Sequence, residues 1–180
     1  VDLVLAQATG PYLERVGAAV RGVDLEPPRG AATVPALAAD RDKLFCGGND
    51  GLTYCYEVDT GKELWSRDLT TEGARFGYGP TRIAVNPAAS EIAVALFQIR
   101  PSVLLLDSAT GKTEVEIPNQ DAESLLYSGD GRQLFFSHGR DVFLYDLNYC
   151  KVLHSCQLPG SLTKQVVGMV NHPLEDSVLA

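Results

Sequence analysis

The chain has 180 residues, of which 45% are apolar and 21% charged, with a formal net charge of −8 and a pI near 4.8. That is long enough to bury a real core and too rich in apolar residues for a disordered chain, and its negative charge repels a phosphate backbone, so direct nucleic-acid binding is disfavoured. The clearest apolar runs, Ile92 to Phe97 and Val103 to Leu106, fall well short of the ~20 residues of a membrane-spanning helix, so no membrane association is expected.

The start, Val1-Asp2-Leu3-Val4, shows neither an initiator methionine nor the pattern of a secretion signal, and both ends are expected to be trimmed. Residues 1–31 are harder to place. Leu3 to Ala6, Tyr12 to Val16 and Ala19 to Val23 read as strands of a partial repeat, with Tyr12 to Val23 alternatively a short helix, and Pro27-Pro28 ends the region.

Residues 32–72 form the first complete unit. Thr33 to Ala38 leads into the polar turn Asp40-Arg41-Asp42-Lys43, and Leu44-Phe45-Cys46 follows before the hairpin turn Gly48-Asn49-Asp50-Gly51. Leu52 to Val58 is a third strand, and Asp59-Thr60-Gly61-Lys62 is a turn whose glycine supplies a positive φ before Glu63 to Ser66. A second unit, 73–118, has strands at Arg82 to Val85, Ile92 to Leu96, Ser102 to Leu106 and Thr113 to Ile117, with the related turn Asp107-Ser108-Ala109-Thr110-Gly111-Lys112. A third, 119–160, has Ser124 to Tyr127, Gln133 to Ser137, Val142 to Asp146 and Lys151 to Gln157. In residues 161–180 a further unit begins with Gln165 to Val170 and reaches Val178.

Matching positions in the four units are Ala38, Asn86, Ser128 and Asn171, spaced by 48, 42 and 43 residues. Four-stranded propeller blades repeat every ~40–45 residues, so the expected fold class is all-β: a β-propeller of four-stranded antiparallel blades, incomplete in this chain. Three complete units fall short of the usual ~4–8 blades, and exposed strand edges predict self-association of the isolated chain.

The third strands end in Tyr56-Glu57, Leu106-Asp107 and Tyr145-Asp146, where WD40 repeats carry Trp-Asp, and Asp50 stands six residues before the first pair. On these residues the chain from about Thr33 onward resembles the WD40-repeat β-propeller family in degenerate form. In that family the Asp joins a hydrogen-bonded network with a His and the Trp. Arg100 and Gly139 stand in its place in the later units, which are left to depend on strand pairing and packing. Ser128-Gly129-Asp130-Gly131 through Tyr145-Asp146-Leu147, followed by Val167-Gly168-Met169 and Asn171-His172-Pro173, is similar to nucleolar WD-repeat proteins of the small-subunit processome. The segment Asp59-Thr60-Gly61-Lys62-Glu63-Leu64-Trp65 is similar to the repeat of quinoprotein-type propellers.

No catalytic, metal-binding or cofactor-binding set is expected. The three histidines, His138, His154 and His172, lack metal-ligand spacing, and no Gly-x-Ser-x-Gly elbow or phosphate loop occurs. His154 and Cys156 alternate on one strand and share a face, as do Glu114 and Glu116, which read as an edge blunted by charge. Cys46, Cys55, Cys150 and Cys156 suit free thiols in the cytoplasm or nucleus, with a Cys46–Cys55 disulfide across the first hairpin left open.

What remains is surface. Blade-to-blade connections and the loops between second and third strands emerge at one end of a propeller, where binding residues sit on a rigid scaffold. Arg75, Phe76 and Tyr78 in one loop, Phe97 and Arg100 in the next, and His138 and Arg140 in the third form the candidate protein-binding set, a partly cationic patch on an acidic protein. The expected role is a non-catalytic scaffold that binds protein or peptide partners inside a multiprotein complex. The alternatives are a fragment of a quinoprotein-type enzyme and a structural wall of a ribonucleoprotein.

Overall fold

The structure, a computed structural model, describes residues 36–40, 42–47, 52–69, 80–96, 101–118, 120–158, 169–171 and 178–179. The first-unit turn at Gly48–Gly51 and the whole of segment 1–31 lie outside those residues, as do the proposed short helix and five of the candidate binding residues.

Twelve strands form three four-stranded antiparallel sheets in chain order. The first sheet contains β1 (Ala36–Asp40), β2 (Lys43–Gly47), β3 (Leu52–Glu57) and β4 (Glu63–Asp68). The second contains β5 (Pro80–Val85), β6 (Glu91–Leu96), β7 (Ser102–Asp107) and β8 (Thr113–Pro118). The third contains β9 (Ser124–Tyr127), β10 (Gln133–His138), β11 (Asp141–Asp146) and β12 (Lys151–Gln157). A further antiparallel pair joins β13 (Val170–Asn171) to β14 (Val178–Leu179). The first strands β1, β5 and β9 lie side by side, so the sheets radiate from a common axis in the manner of propeller blades. Among the described residues there is no helix.

Each sheet repeats the same register. Phe45, Cys55 and Trp65 stand abreast across the first blade, Ala93, Leu105 and Val115 across the second, and Phe135, Leu144 and His154 across the third. The ladder between third and fourth strands is interrupted at one equivalent place in all three, after Cys55, Leu105 and Leu144. An extra residue there increases the local twist of the outer strand, which splays it against the next blade. The first strand runs through Asp40, which pairs with Lys43, and the expected start at Thr33 lies outside the described residues. In the polar turn the Asp42 carbonyl accepts from Val58 N–H at 2.7 Å.

Alternation then decides the core. Phe45, Cys55 and Trp65 on the trailing face of blade 1 pack against Ile92, Val94, Leu96, Leu104 and Leu106 on the leading face of blade 2. The trailing face of blade 2, with Ala93, Ala95, Val103, Leu105 and Ile117, packs against Tyr127, Leu134, Phe136 and Tyr145 of blade 3. Each fully buried large side chain contributes roughly 1.5–3 kcal/mol, so these two interfaces carry most of the stability. They also explain why β6 and β7 are apolar without alternation: both faces of the middle blade are covered.

Two polar latches cross the interfaces. Trp65 Nε1–H donates to Ser108 O at 3.1 Å, and Arg67 donates from Nε and Nη2 to Thr110 O at 3.2 and 3.1 Å. The outer strand of blade 1 thereby grips the turn between β7 and β8. Between blades 2 and 3, buried Asn86 donates from Nδ2 to Gly131 O at 2.9 Å and to Glu91 Oε1 at 3.2 Å, while its Oδ1 accepts from Ala88 N–H. The Tyr127 hydroxyl also donates to Glu91 Oε1 at 2.9 Å. Burial first, and then the Glu91 carboxylate, push the Tyr127 phenol well above its ordinary 10.0, which keeps it a donor.

The open question of a Cys46–Cys55 disulfide is resolved by register. Cys46 pairs with Tyr54 and Cys55 with Phe45, so the two thiols point to opposite faces of the sheet, and all four cysteines are free. Burial pushes both Cys46 and Cys55 from 9.0 to about 12, with Cys55 adding to the shift at Cys46. A thiol reagent at pH 8 is therefore expected to label Cys150 and Cys156, which are exposed, and to spare the buried pair until denaturant is added. Because the folded thiols ionise later than the unfolded ones, their contribution is complete below pH 9 and is lost as pH rises towards about 12. A melting temperature that falls across that interval is the check, and replacing both residues by Ala should flatten the fall.

Cys150 occupies the place of Gly61 and Gly111 in the turn before the outer strand and has φ 50°, beside 69° and 68° for those glycines. A side chain is tolerated there because Val115, not a tryptophan, stands in the register position of Trp65 one blade back. The left-handed conformation costs a non-glycine residue roughly 1–2 kcal/mol, against about 0.5–1 kcal/mol of extra chain entropy for glycine. Cys150→Gly is therefore expected to stabilise the protein by about 0.5–1 kcal/mol, seen as a higher urea midpoint with an unchanged m-value.

Candidate functional site

Among the described residues, the loop end of the propeller holds short connections that bond to one another. Gln120 N–H donates to Pro101 O at 3.0 Å, tying the connection between blades 2 and 3 to the end of the β6–β7 loop. Glu123 continues the same connection: its N–H donates to Ser137 O at 2.8 Å, and its Oε2 accepts from Gly139 N–H at 3.0 Å. Gly139, at φ 58°, lets β10 and β11 be joined by the tight turn Gly139–Arg140.

Two of the seven candidate residues fall on this framework, and the turn brings them together. His138 is exposed at the end of β10, its Nδ1 at 3.6 Å from Asp121 Oδ2. Arg140 is half-buried and donates from Nε to Leu158 O at 3.0 Å, with Nη2 directed to the same carbonyl. Leu158 N–H in return donates to Arg140 O at 3.0 Å, so the chain leaving β12 is fastened to the turn. Arg75, Phe76, Tyr78, Phe97 and Arg100 lie outside the described residues. The bond from Gln120 to Pro101 places Pro101 beside the connection that carries Asp121.

Asp121 and Glu123 are the residues that reading by motif does not find. Both come from a blade-to-blade connection whose only sequence signal is the polar interruption Gln120-Asp121-Ala122-Glu123 between two apolar strands. They set two carboxylates beside His138 and Arg140, so this part of the loop end offers charge of both signs. Among the described residues no group of three or more His, Cys, Asp or Glu side chains comes together. No described helix is long and apolar enough to cross a membrane.

The acids at the ends of the third strands have local work. Asp107 Oδ1 accepts from the Thr110 hydroxyl and N–H, and the Thr110 hydroxyl chiefly holds its carboxyl below the ordinary 3.8. Asp146 Oδ1 accepts from Asn148 and Tyr149 N–H in the same way. Both are capping residues of turns on the rim opposite the loop end, as befits positions that follow buried Leu106 and Tyr145.

No protein-family description matches the sequence, and no curated protein matches it. Solved structures do match in shape. The structure of U3-55K aligns over 78% of this chain and 43% of its own at 12% identity, with a TM-score of 0.64. The RRP9 WD40 repeats align over 78% and 43% at 13% identity with a TM-score of 0.63. The β-propeller domain of Cps50 (Swd1) from Myceliophteria thermophila aligns over 77% and 45% at 13% identity with a TM-score of 0.58. The chain thus spans under half the length of these propellers, and nothing in the likeness supports the quinoprotein-type enzyme alternative. Its fold is that of an incomplete WD40-type β-propeller, with three four-stranded blades among the described residues.

Proposed function

We propose that this protein is a non-catalytic scaffold that docks a protein or peptide partner on its loop end, within a larger complex. The observation that supports this reading is the fastening of that end. Backbone bonds tie Pro101 to Gln120, Glu123 to Ser137, and Leu158 to Arg140, so Pro101, the connection through Glu123 and the Gly139–Arg140 turn form one fastened surface. A preorganised surface loses little entropy on binding, and its exposed His138 and the aromatic and Arg residues of the neighbouring loops are the types that anchor partners. Mixed charge from Asp121, Glu123 and Arg140 favours a zwitterionic peptide segment over a phosphate backbone.

The test is quantitative recovery of partners from cells with the tagged protein, compared with Phe76→Ala/Tyr78→Ala/Arg100→Ala and His138→Ala/Arg140→Ala variants. A partner bound at the loop end is expected to fall by about tenfold or more with either variant, which corresponds to the loss of one hot spot. Recovery unchanged by both removes the reading. In that event the protein is better read as a structural wall of a ribonucleoprotein, such as a ribosome-biogenesis particle, with contacts on the sides of its blades.

A further inference from the structure

The outer strands β4, β8 and β12 end their sheets at the circumference, where a neighbouring blade packs on the face of a sheet and leaves that edge open. Which backbone groups the edge of β12 offers follows from its register. Leu158 N–H bonds Arg140 O, so by antiparallel alternation Cys156 and His154 exchange bonds with Val142 and Leu144 of β11. The N–H and C=O groups of Ser155 and Gln157 therefore point outward, and both residues are exposed. The corresponding outward positions are Ser66 and Asp68 on β4, and Glu116 and Pro118 on β8. Proline has no N–H to give, which fits a position that faces away from β7.

The three edges differ in how they are guarded. An open edge is a template for pairing unless charge or proline blunts it. Arg67 and Asp68 blunt β4, and Glu116 and Pro118 blunt β8, but His154-Ser155-Cys156-Gln157 holds no proline, no acid and no Lys or Arg. We infer that this edge of β12 pairs antiparallel with the same edge of a second copy of the chain, Ser155 opposite Gln157 and Cys156 opposite Cys156 across a two-fold axis. A second copy is specified by complementarity. That register uses the outward N–H and C=O groups of both residues in each copy and sets the Ser155 hydroxyl beside the Gln157 carboxamide, with no like charges opposed. The same register on β4 would oppose Arg67 to Arg67, and on β8 it would lose bonds at Pro118. The edge lies on the rim of blade 3, apart from the loop end, and does not rest on the function proposed above.

Sedimentation of the protein from about 1 to about 100 µM is expected to show its mass rising from 19.4 kDa to that of a dimer and no further. Ser155→Glu with Gln157→Pro gives β12 the edge that β8 already tolerates and is expected to raise the dissociation constant at least tenfold. Cys156→Arg, which sets two cations across the axis, should do the same while keeping every N–H, so a folding defect in the first variant does not decide the outcome. Circular dichroism of both variants checks that the sheets remain. Diamide, which takes up the two protons and two electrons released when two thiols join, is expected to link the dimer through Cys156 in a Cys150→Ser background. The inference is overturned by a monomer throughout, by a dimer that folded forms of these variants leave unchanged, or by a dimer that diamide does not link through Cys156. Phe76→Ala/Tyr78→Ala/Arg100→Ala should leave the dimer intact, so the two readings fail separately.

Discussion

Gly131→Ala is expected to cost about 2–5 kcal/mol, enough to unfold a substantial fraction of a protein of ordinary marginal stability. Gly131 has φ 69°, and a Cβ there would lie 2.1 Å from Asn86 Oδ1 and 2.8 Å from Ala88 Cβ. The backbone term alone is roughly 1–2 kcal/mol. The remainder comes from Asn86, 3% exposed, which must swing away from Gly131 O and Glu91 and leave polar atoms buried without partners, at about 1–3 kcal/mol. Two neighbouring glycines separate these causes. At Gly139 φ is 58° but a Cβ would meet nothing within 4 Å, so alanine there should cost only the backbone term. At Gly129 neither constraint applies, and alanine should be neutral within roughly 0.5 kcal/mol. Urea denaturation of the three variants is the measurement, and equal costs at Gly131 and Gly139 would show that the latch between blades 2 and 3 contributes nothing.

Trp65→Ala is the second large effect, expected at about 3–5 kcal/mol. Trp65 is 8% exposed, packs against Phe45 at a centroid distance of 6.0 Å, and spans the gap to Gly111, where a Cβ would stand 2.8 Å from its ring. Alanine removes the packing and the bond to Ser108 O together and leaves a cavity between two blades. Trp65→Phe retains most of the packing and should cost about 1 kcal/mol, the share of the hydrogen bond together with a small loss of area. Trp65 is the chain's one tryptophan, so its fluorescence reports this interface directly in the unmutated protein. Emission should shift to the red in a single transition with the loss of circular dichroism, whereas an earlier fluorescence change would mean that blades 1 and 2 part before the sheets melt.

The two latches bridge 43 and 45 residues, about one repeat. They do for this chain some of what the Trp-Asp signature network does in regular WD40 repeats, and they act between blades. The degenerate pairs Tyr56-Glu57, Leu106-Asp107 and Tyr145-Asp146 are consistent with that division. Their first members fill the core and their acids face or cap the following turn, as at Asp107 and Asp146.

By itself the sequence determined the strands and their order, because those depend on neighbours along the chain. Alternating or continuous apolar runs of about six residues, separated by turns such as Asp107-Ser108-Ala109-Thr110-Gly111, can be satisfied only by antiparallel hairpins, and the spacing of Ala38, Asn86 and Ser128 made each set of four a repeat. Asp42, Ser90 and Arg132, four residues beyond those positions, carry the carbonyls that accept from Val58, Ser108 and Leu147 in equivalent bonds. Only the tertiary structure decided which face each residue takes and what it meets there. A shift of one residue moved Cys46 and Cys55 to opposite sides of a sheet; Asp121 and Glu123 reached His138 and Gly139 through a connection with no motif; and Trp65 found its acceptor one blade away. These outcomes depend on register and on contacts between blades, where the energy is set by the geometry of two packed surfaces and not by any property of a local stretch of chain.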